Sequence, residues 1–331
     1  MFCLPPELQN AVCDHLAPAH LAALSSSCSQ FYWVAQRHLY RHVHITPAFR
    51  NLSVVLTLAA KPHVACHVRS FSLSLPSQSS VFLSFYNQLA RALSHMTELS
   101  SLHLFVDPAA SWVLQGAQPV RLLTFACSFP FDFHVTEFLA TAPALLELEV
   151  DPTSSQVCGE VHQSLVPHLE QFRGSSQVAE AIVPNRPVHS IHLTSGDLTE
   201  KVVARLAESA TNVAILGATI SSLPAPLLQS LSKSMPNLMY LRITTTYDFS
   251  EAPDVAFYEH VANALGALPK LQAFELSGMH WGSLKNSEND MRVWQSKPIN
   301  SEQNHSQLDD ELPSSDEALD VDIDSELFID Y

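Results

Sequence analysis

Met235-Pro236-Asn237-Leu238-Met239-Tyr240-Leu241-Arg242-Ile243 carries the pattern on which the fold of this 331-residue chain turns. Leu238, Leu241 and Ile243 stand in the spacing apolar, two residues, apolar, one residue, apolar. In an extended chain successive side chains point to opposite faces, so Leu241 and Ile243 share one face and Arg242 the other. The proline ahead of them ends a helix and sets up extended backbone. The same lead-in returns as Ala142-Pro143-Ala144-Leu145 and Leu268-Pro269-Lys270-Leu271.

Working outward, the spacing recurs from Val68 to Leu276. It is carried by Val68, Phe71 and Leu73, by Leu99, Leu102 and Leu104, by Val120, Leu123 and Phe125, and by Leu145, Leu148 and Val150. It continues in Leu169 with Phe172, in Val188, Ile191 and Leu193, in Val213 with Leu216, and finally in Leu271, Phe274 and Leu276. Amphipathic helical stretches fall between, over 81–96, 202–210, 227–235 and 255–265. Alternating strands and helices predict an α/β protein with parallel strands and right-handed crossovers. The recurrence resembles leucine-rich repeats, whose units bury their apolar faces only by stacking. Where many such repeats carry Asn or Cys, this chain has Pro76, Asp107, Thr153, Gly196, Thr246 and Met279, so the expected solenoid, over 68–281, is irregular.

The chain opens differently. Leu4-Pro5-Pro6-Glu7-Leu8 is followed by Val12, Leu16, Pro18, Leu21, Leu24, Cys28 and Phe31, and then by Leu39-Tyr40-Arg41. Pro5 and Pro6 suit a first helical turn, where a missing N–H is no loss. Leu8, Val12 and Leu16 form one stripe at four-residue steps. Pro18 ends that helix, and two more short helices follow, the last through Phe31, Ala35 and Leu39. This ordered set resembles the F-box, with Ser26 and Ser27 where that family usually carries apolar residues. The resemblance implies a helical F-box over 1–45, joined by a helical linker over 46–67 to the repeats. It implies docking on a Skp-family adaptor through Leu4, Pro5, Pro6, Leu8, Val12, Leu16, Leu21, Leu24, Cys28 and Phe31, and through the adaptor on a cullin. The chain would then be the substrate-recognition subunit of an SCF ubiquitin ligase. The alternative is an F-box scaffold that binds a partner without promoting its ubiquitination.

On either reading a protein substrate or partner is expected on the strand row lying between the last two apolar positions of each unit. That row reads Ser72, His103, Thr124, Glu149, Arg173, His192, Gly217, Arg242 and Glu275, with Glu147, Gln171, Ile215 and Tyr240 two residues earlier. Arg and Tyr are favoured interface anchors. His103, Glu149, Arg173, His192, Tyr240 and Arg242 are therefore the candidate contacts on what would be the concave face.

Composition narrows the function further. Eleven of the 33 acidic residues follow Lys297, the last base, leaving 22 acids against 17 bases in the body of the chain. A nearly balanced body without a basic stripe argues against nucleic acid as a partner. No apolar run reaches the length of a membrane span, and the first residues lack the basic and long apolar regions of a secretion signal. Six scattered cysteines without a C-x-x-C pair suit a reducing compartment, cytoplasmic or nuclear. His38, His42 and His44 lie close together but lack further ligands at zinc spacing. Only eight glycines, and no nucleophile elbow, phosphate loop or HExxH helix, leave no expected catalytic residue, metal or cofactor.

Residues 282–331, rich in Ser, Asn, Gln, Asp and Glu, are expected to form a disordered acidic tail. Within it Leu327-Phe328-Ile329 could serve as a docking motif and Ser314-Ser315-Asp316-Glu317 as a phosphorylation site.

Overall fold

A computed structural model describes residues 4–27, 29–46, 51–76, 82–150, 162, 164–246, 255–285 and 292–298. The expected tail beyond 298, its two motifs, and Cys28 lie outside the described residues.

The first three helices are α1 (Pro6–Asp14), α2 (Pro18–Ser27) and α3 (Ser29–Leu39). Pro6 opens α1 at its first turn, and the chain turns before Pro18 opens α2. They share a small core of Cys13, Leu21 and Ala35, with Leu16, Leu24, Phe31, Val34 and Leu39 packed around it. Burial raises the pKa of the Cys13 thiol, with the Asp14 carboxylate adding to it. Ser26 and Ser27 end α2 on its exposed side, their hydroxyls donating back to the Ala23 and Leu24 carbonyls at 2.8 and 3.0 Å. These serines are exposed and lie outside the small core.

From this point strands and helices alternate. The order is β1 (His42–Ile45), α4 (Ser53–Ala60), α5 (Pro62–Ala65), β2 (Ser70–Ser74), α6 (Leu83–His95) and β3 (Ser101–Phe105). A 3-10 turn (Pro108–Leu114) leads to β4 (Thr124–Cys127), α7 (Phe133–Ala140), β5 (Glu147–Glu149), β6 (Gln171–Ser175) and α8 (Ser176–Ile182). Then come β7 (Ser190–Asp197), α9 (Glu200–Leu206), β8 (Ile215–Ile220), α10 (Pro224–Ser234), β9 (Tyr240–Thr245) and α11 (Val255–Gly266). The last elements are β10 (Ala273–Leu276), β11 (Met279–Lys285) and β12 (Arg292–Pro298). Several helices start where a strand-following polar residue caps them. Asp132, Ser175 and Thr199 each accept a hydrogen bond from the backbone N–H three residues on.

The twelve described strands form one sheet in which spatial order follows chain order. β1 through β10 pair in parallel, and β10, β11 and β12 are antiparallel. Each parallel junction opens on the same device: one carbonyl accepts from two consecutive amides of the next strand. Arg69 serves Ser100 and Ser101, Leu146 serves Glu170 and Gln171, and Ala214 serves Met239 and Tyr240. One continuous core runs beneath, from Val43 to Trp294, built from the three apolar positions of each unit and the inner faces of the helices.

Three expectations are corrected. The strand of the third unit is displaced by two residues. Leu122, Phe125 and Cys127 are buried, whereas Val120 is 61% exposed, so Ala126 takes the row position expected of Thr124. Tyr40-Arg41-His42-Val43-His44-Ile45 carries the same spacing and supplies β1, so the segment read as helical over 1–45 ends inside the sheet. In the linker the described helices are Ser53–Ala60 and Pro62–Ala65, and residues 47–50 lie outside the described residues. Finally, 282–285 and 292–298, expected to be disordered, are strands, because Trp281 and Trp294 are drawn into the core and carry the hairpin with them.

A buried cation braces the middle of the sheet. Arg186 is 3% exposed. Its Nε donates to the Leu165 carbonyl at 2.7 Å and Nη2 to that of His162 at 3.1 Å. Nη1 serves Pro184 at 3.2 Å and also Ile182. Burial lowers the pKa of this guanidinium. Carbonyl oxygens replace the water it has lost.

Among the described residues no helix is long and apolar enough to cross a membrane. Of the described cysteines, Cys13 and Cys127 are buried and Cys66 half-buried, and none of the three forms a disulfide. No group of three His, Cys, Asp or Glu side chains there converges as a metal ion requires.

Candidate functional site

Because apolar positions of each strand face the core, the residues between them face the other way. Pairing brings these into one row across the sheet: His44, Ser72, His103, Ala126, Glu149, Arg173, His192, Gly217, Arg242, Glu275 and His280. Neighbouring strands lie about 4.8 Å apart. The stretch from Glu149 to Glu275 therefore spans about 24 Å, and its charges follow a near-symmetric order: acid, base, histidine, glycine, base, acid.

Each arginine of this stretch leans toward its outer carboxylate. Arg173 Nε lies 3.7 Å from Glu149 Oε1, and Arg242 Nε lies 3.3 Å from Glu275 Oε1. His192 sits between the two guanidiniums with its ring over Gly217. A β-carbon on that glycine would stand 2.7 Å from Nδ1. Burial lowers the His192 pKa most, and the Arg173 and Arg242 charges lower it further. Near neutral pH the imidazole is therefore uncharged, able to donate from one nitrogen and accept at the other. Such a surface suits a polar, sign-alternating partner better than an apolar one.

The remaining sheet candidates occupy its margins. Tyr240 lies two residues before Arg242 on the same face, its hydroxyl donating to Gln272 Oε1 at 2.9 Å. His103 is separated from Glu149 by Ala126 of β4, about 10 Å across two strand spacings. The six candidates therefore share one face, but only Glu149, Arg173, His192 and Arg242 form a continuous group. Gly217, which makes room for the imidazole, has no side chain by which sequence reasoning could rank it as a contact.

The helical candidates divide into two sets. Leu4, Pro5, Pro6, Leu8 and Val12 are exposed, Leu8 at 52% and Val12 at 46%. Leu16, Leu21, Leu24 and Phe31 instead build the small core. The inversion within α1 is the notable point: polar Gln9 is buried, its Nε2 donating to the Leu4 carbonyl at 2.6 Å, while the leucine and valine beside it face outward. The stripe thus starts in water at Leu8 and Val12 and reaches the core only at Leu16, just beyond the end of α1.

His38, His42 and His44 do not converge. His38 faces Asn10 Oδ1 and Asp14 Oδ1, each at 3.1 Å, tying α3 to α1. His42 and His44 are exposed along β1. Sequence reading missed one further place altogether. A cavity of about 290 Å³ is lined by Asn10, Asp14, Arg37, His38, Arg41, His67 and Arg69. Its arginines are scattered over three elements in the chain, with no local spacing to announce them.

Fold and surfaces together define a class: a mixed α/β protein whose mostly parallel sheet alternates with helices. No protein-family model matches the chain, and no curated protein matches it.

Proposed function

We propose that this chain is the substrate-recognition subunit of an SCF-type ubiquitin ligase. On this reading 4–39 is an F-box that docks on a Skp-family adaptor, and the sheet is an irregular leucine-rich-repeat solenoid that holds a protein substrate. The chain performs no bond chemistry; it contributes proximity and orientation. The observation that carries the reading is the outward apolar stripe of Leu4 and Pro5, just ahead of α1, and Leu8 and Val12 on it, where the helix buries a glutamine instead. An apolar stripe turned to water on so small a module calls for a partner surface. The sequential parallel strand order, with the same doubly accepting carbonyl at successive junctions, supports the repeat reading. The row from Glu149 to Glu275 is the substrate surface this reading assigns.

The test is a pull-down with purified Skp-family adaptor, comparing the intact chain with Leu8→Lys and Val12→Lys combined. Binding by the intact chain that is lost in the double variant supports the reading; equal binding or none overturns it. If adaptor binding holds but deletion of the chain leaves its partner's half-life unchanged, the scaffold reading replaces the ligase one.

A further inference from the structure

The cavity between α1, α3 and the first two strands joins parts of the chain that no single element unites. Asn10 and Asp14 come from α1, Arg37 and His38 from α3, Arg41 from the residue before β1, and His67 and Arg69 from the approach to β2. Three guanidiniums and two imidazoles thus face one small volume. Among the described residues no ion pair takes Arg37, Arg41 or Arg69. Asp14, the carboxylate of the lining, already faces His38 at 3.1 Å. Arg41 Nε is buried with no hydrogen-bond partner. A buried guanidinium nitrogen without an acceptor is a position that a ligand oxygen completes.

We propose that this cavity binds the dianionic head of a small free phosphomonoester. Guanidinium forks match tetrahedral phosphate oxygens, and several converging on one volume suit two charges better than one. Asn10 and His67 supply further polar groups at the rim. At about 290 Å³ the space lies at the lower end of small-molecule sites, enough for a phosphate and a short carbon skeleton. The surrounding field is cationic: Arg37 is among the causes that lower the His67 pKa, after burial, and Arg41 and Arg69 likewise act on His42. Glu98 opposes this at His67 but already pairs with Arg121 at 3.1 Å. A bound phosphate would tie α3 to the first two strands, fixing the helical module against the sheet. The site is separate from both surfaces of the proposed function.

The experiment is calorimetric titration of the full chain at constant ionic strength with inorganic phosphate, free O-phosphoserine, a phosphoserine peptide and malonate. Saturable binding of phosphate and O-phosphoserine, with malonate clearly weaker, is the expected result. Arg41→Gln and Arg69→Gln should each weaken it about tenfold or more, the scale of a charge-assisted bond. Asp14→Asn should tighten it about two- to fivefold by removing an opposing charge; damage to the fold would not produce that gain. Absence of saturable phosphate binding, affinity unchanged in both arginine variants, or malonate binding as tightly would overturn the proposal. A peptide that binds more tightly than free O-phosphoserine would overturn the free-ligand assignment in favour of a phosphorylated protein segment.

Discussion

The imidazole of His192 occupies space that a side chain on Gly217 would need, across the junction of β7 and β8. The contact is with the end of a side chain, so a substitution can be accommodated by turning the ring away. Gly217→Ala should cost only about 1 kcal/mol or less of stability, the low end of overpacking. Its larger effect should be on the row. Expelled toward water, His192 should titrate closer to the ordinary value of 6.5, and NMR titration of its ring carbons reads this directly. An unshifted titration would show that the ring never depended on the glycine.

Stability should follow the same histidine. Its folded pKa is lowered, so below about pH 6.5 the unfolded chain binds more protons than the folded one. The contribution is fully present above the unfolded value and is lost as pH falls through it toward the folded value. His67 is lowered too, with burial as the first cause, and acts in the same direction. Urea midpoints should therefore fall between pH 7 and pH 5, and His192→Gln should flatten that slope without abolishing it. A slope identical in the variant would remove His192 from the account.

Arg186 offers a sharper loss. Removing its side chain takes the donor from four carbonyl oxygens, three of them on buried residues. Arg186→Met should cost about 3–5 kcal/mol, the scale of leaving several buried carbonyl acceptors without a donor. Lysine reaches fewer of these oxygens, so Arg186→Lys should recover only part of the loss. Equilibrium unfolding in urea measures both, and full rescue by lysine would show that charge alone matters.

How much of this could be read from the chain differs element by element. The strand row was legible wherever three apolar residues had only one frame. In the third unit two frames overlap: Val120, Leu123 and Phe125 fit the spacing as well as Leu122, Phe125 and Cys127. Only pairing of Phe125 between Leu102 and Leu148 selects the second. β1 was hidden because Tyr40 to Ile45 also completes a helical module. The β11–β12 hairpin was hidden because its polar surroundings outweighed Trp281 and Trp294. The arginine cavity was invisible for a more general reason: positions 37, 41 and 69 meet only once β1 pairs with β2.

The last expectation separates a surface stripe from a core. Leu8 and Val12 are half exposed and Leu21 is buried, although all three are apolar residues on neighbouring short helices. Lysine at Leu8 and Val12 removes no buried contact, so the double variant should unfold within about 0.5 kcal/mol of the parent. Leu21→Ala opens a hole in a core of three fully buried residues and should cost about 2–4 kcal/mol. With so few neighbours, that loss should appear as local unfolding of α1 to α3 while the sheet stays intact. Amide exchange resolves the two: protection in α1 to α3 should collapse in Leu21→Ala and persist in the lysine variant. If the lysines unfolded the module, Leu8 and Val12 would belong to its core, and loss of adaptor binding in that variant would say nothing about docking.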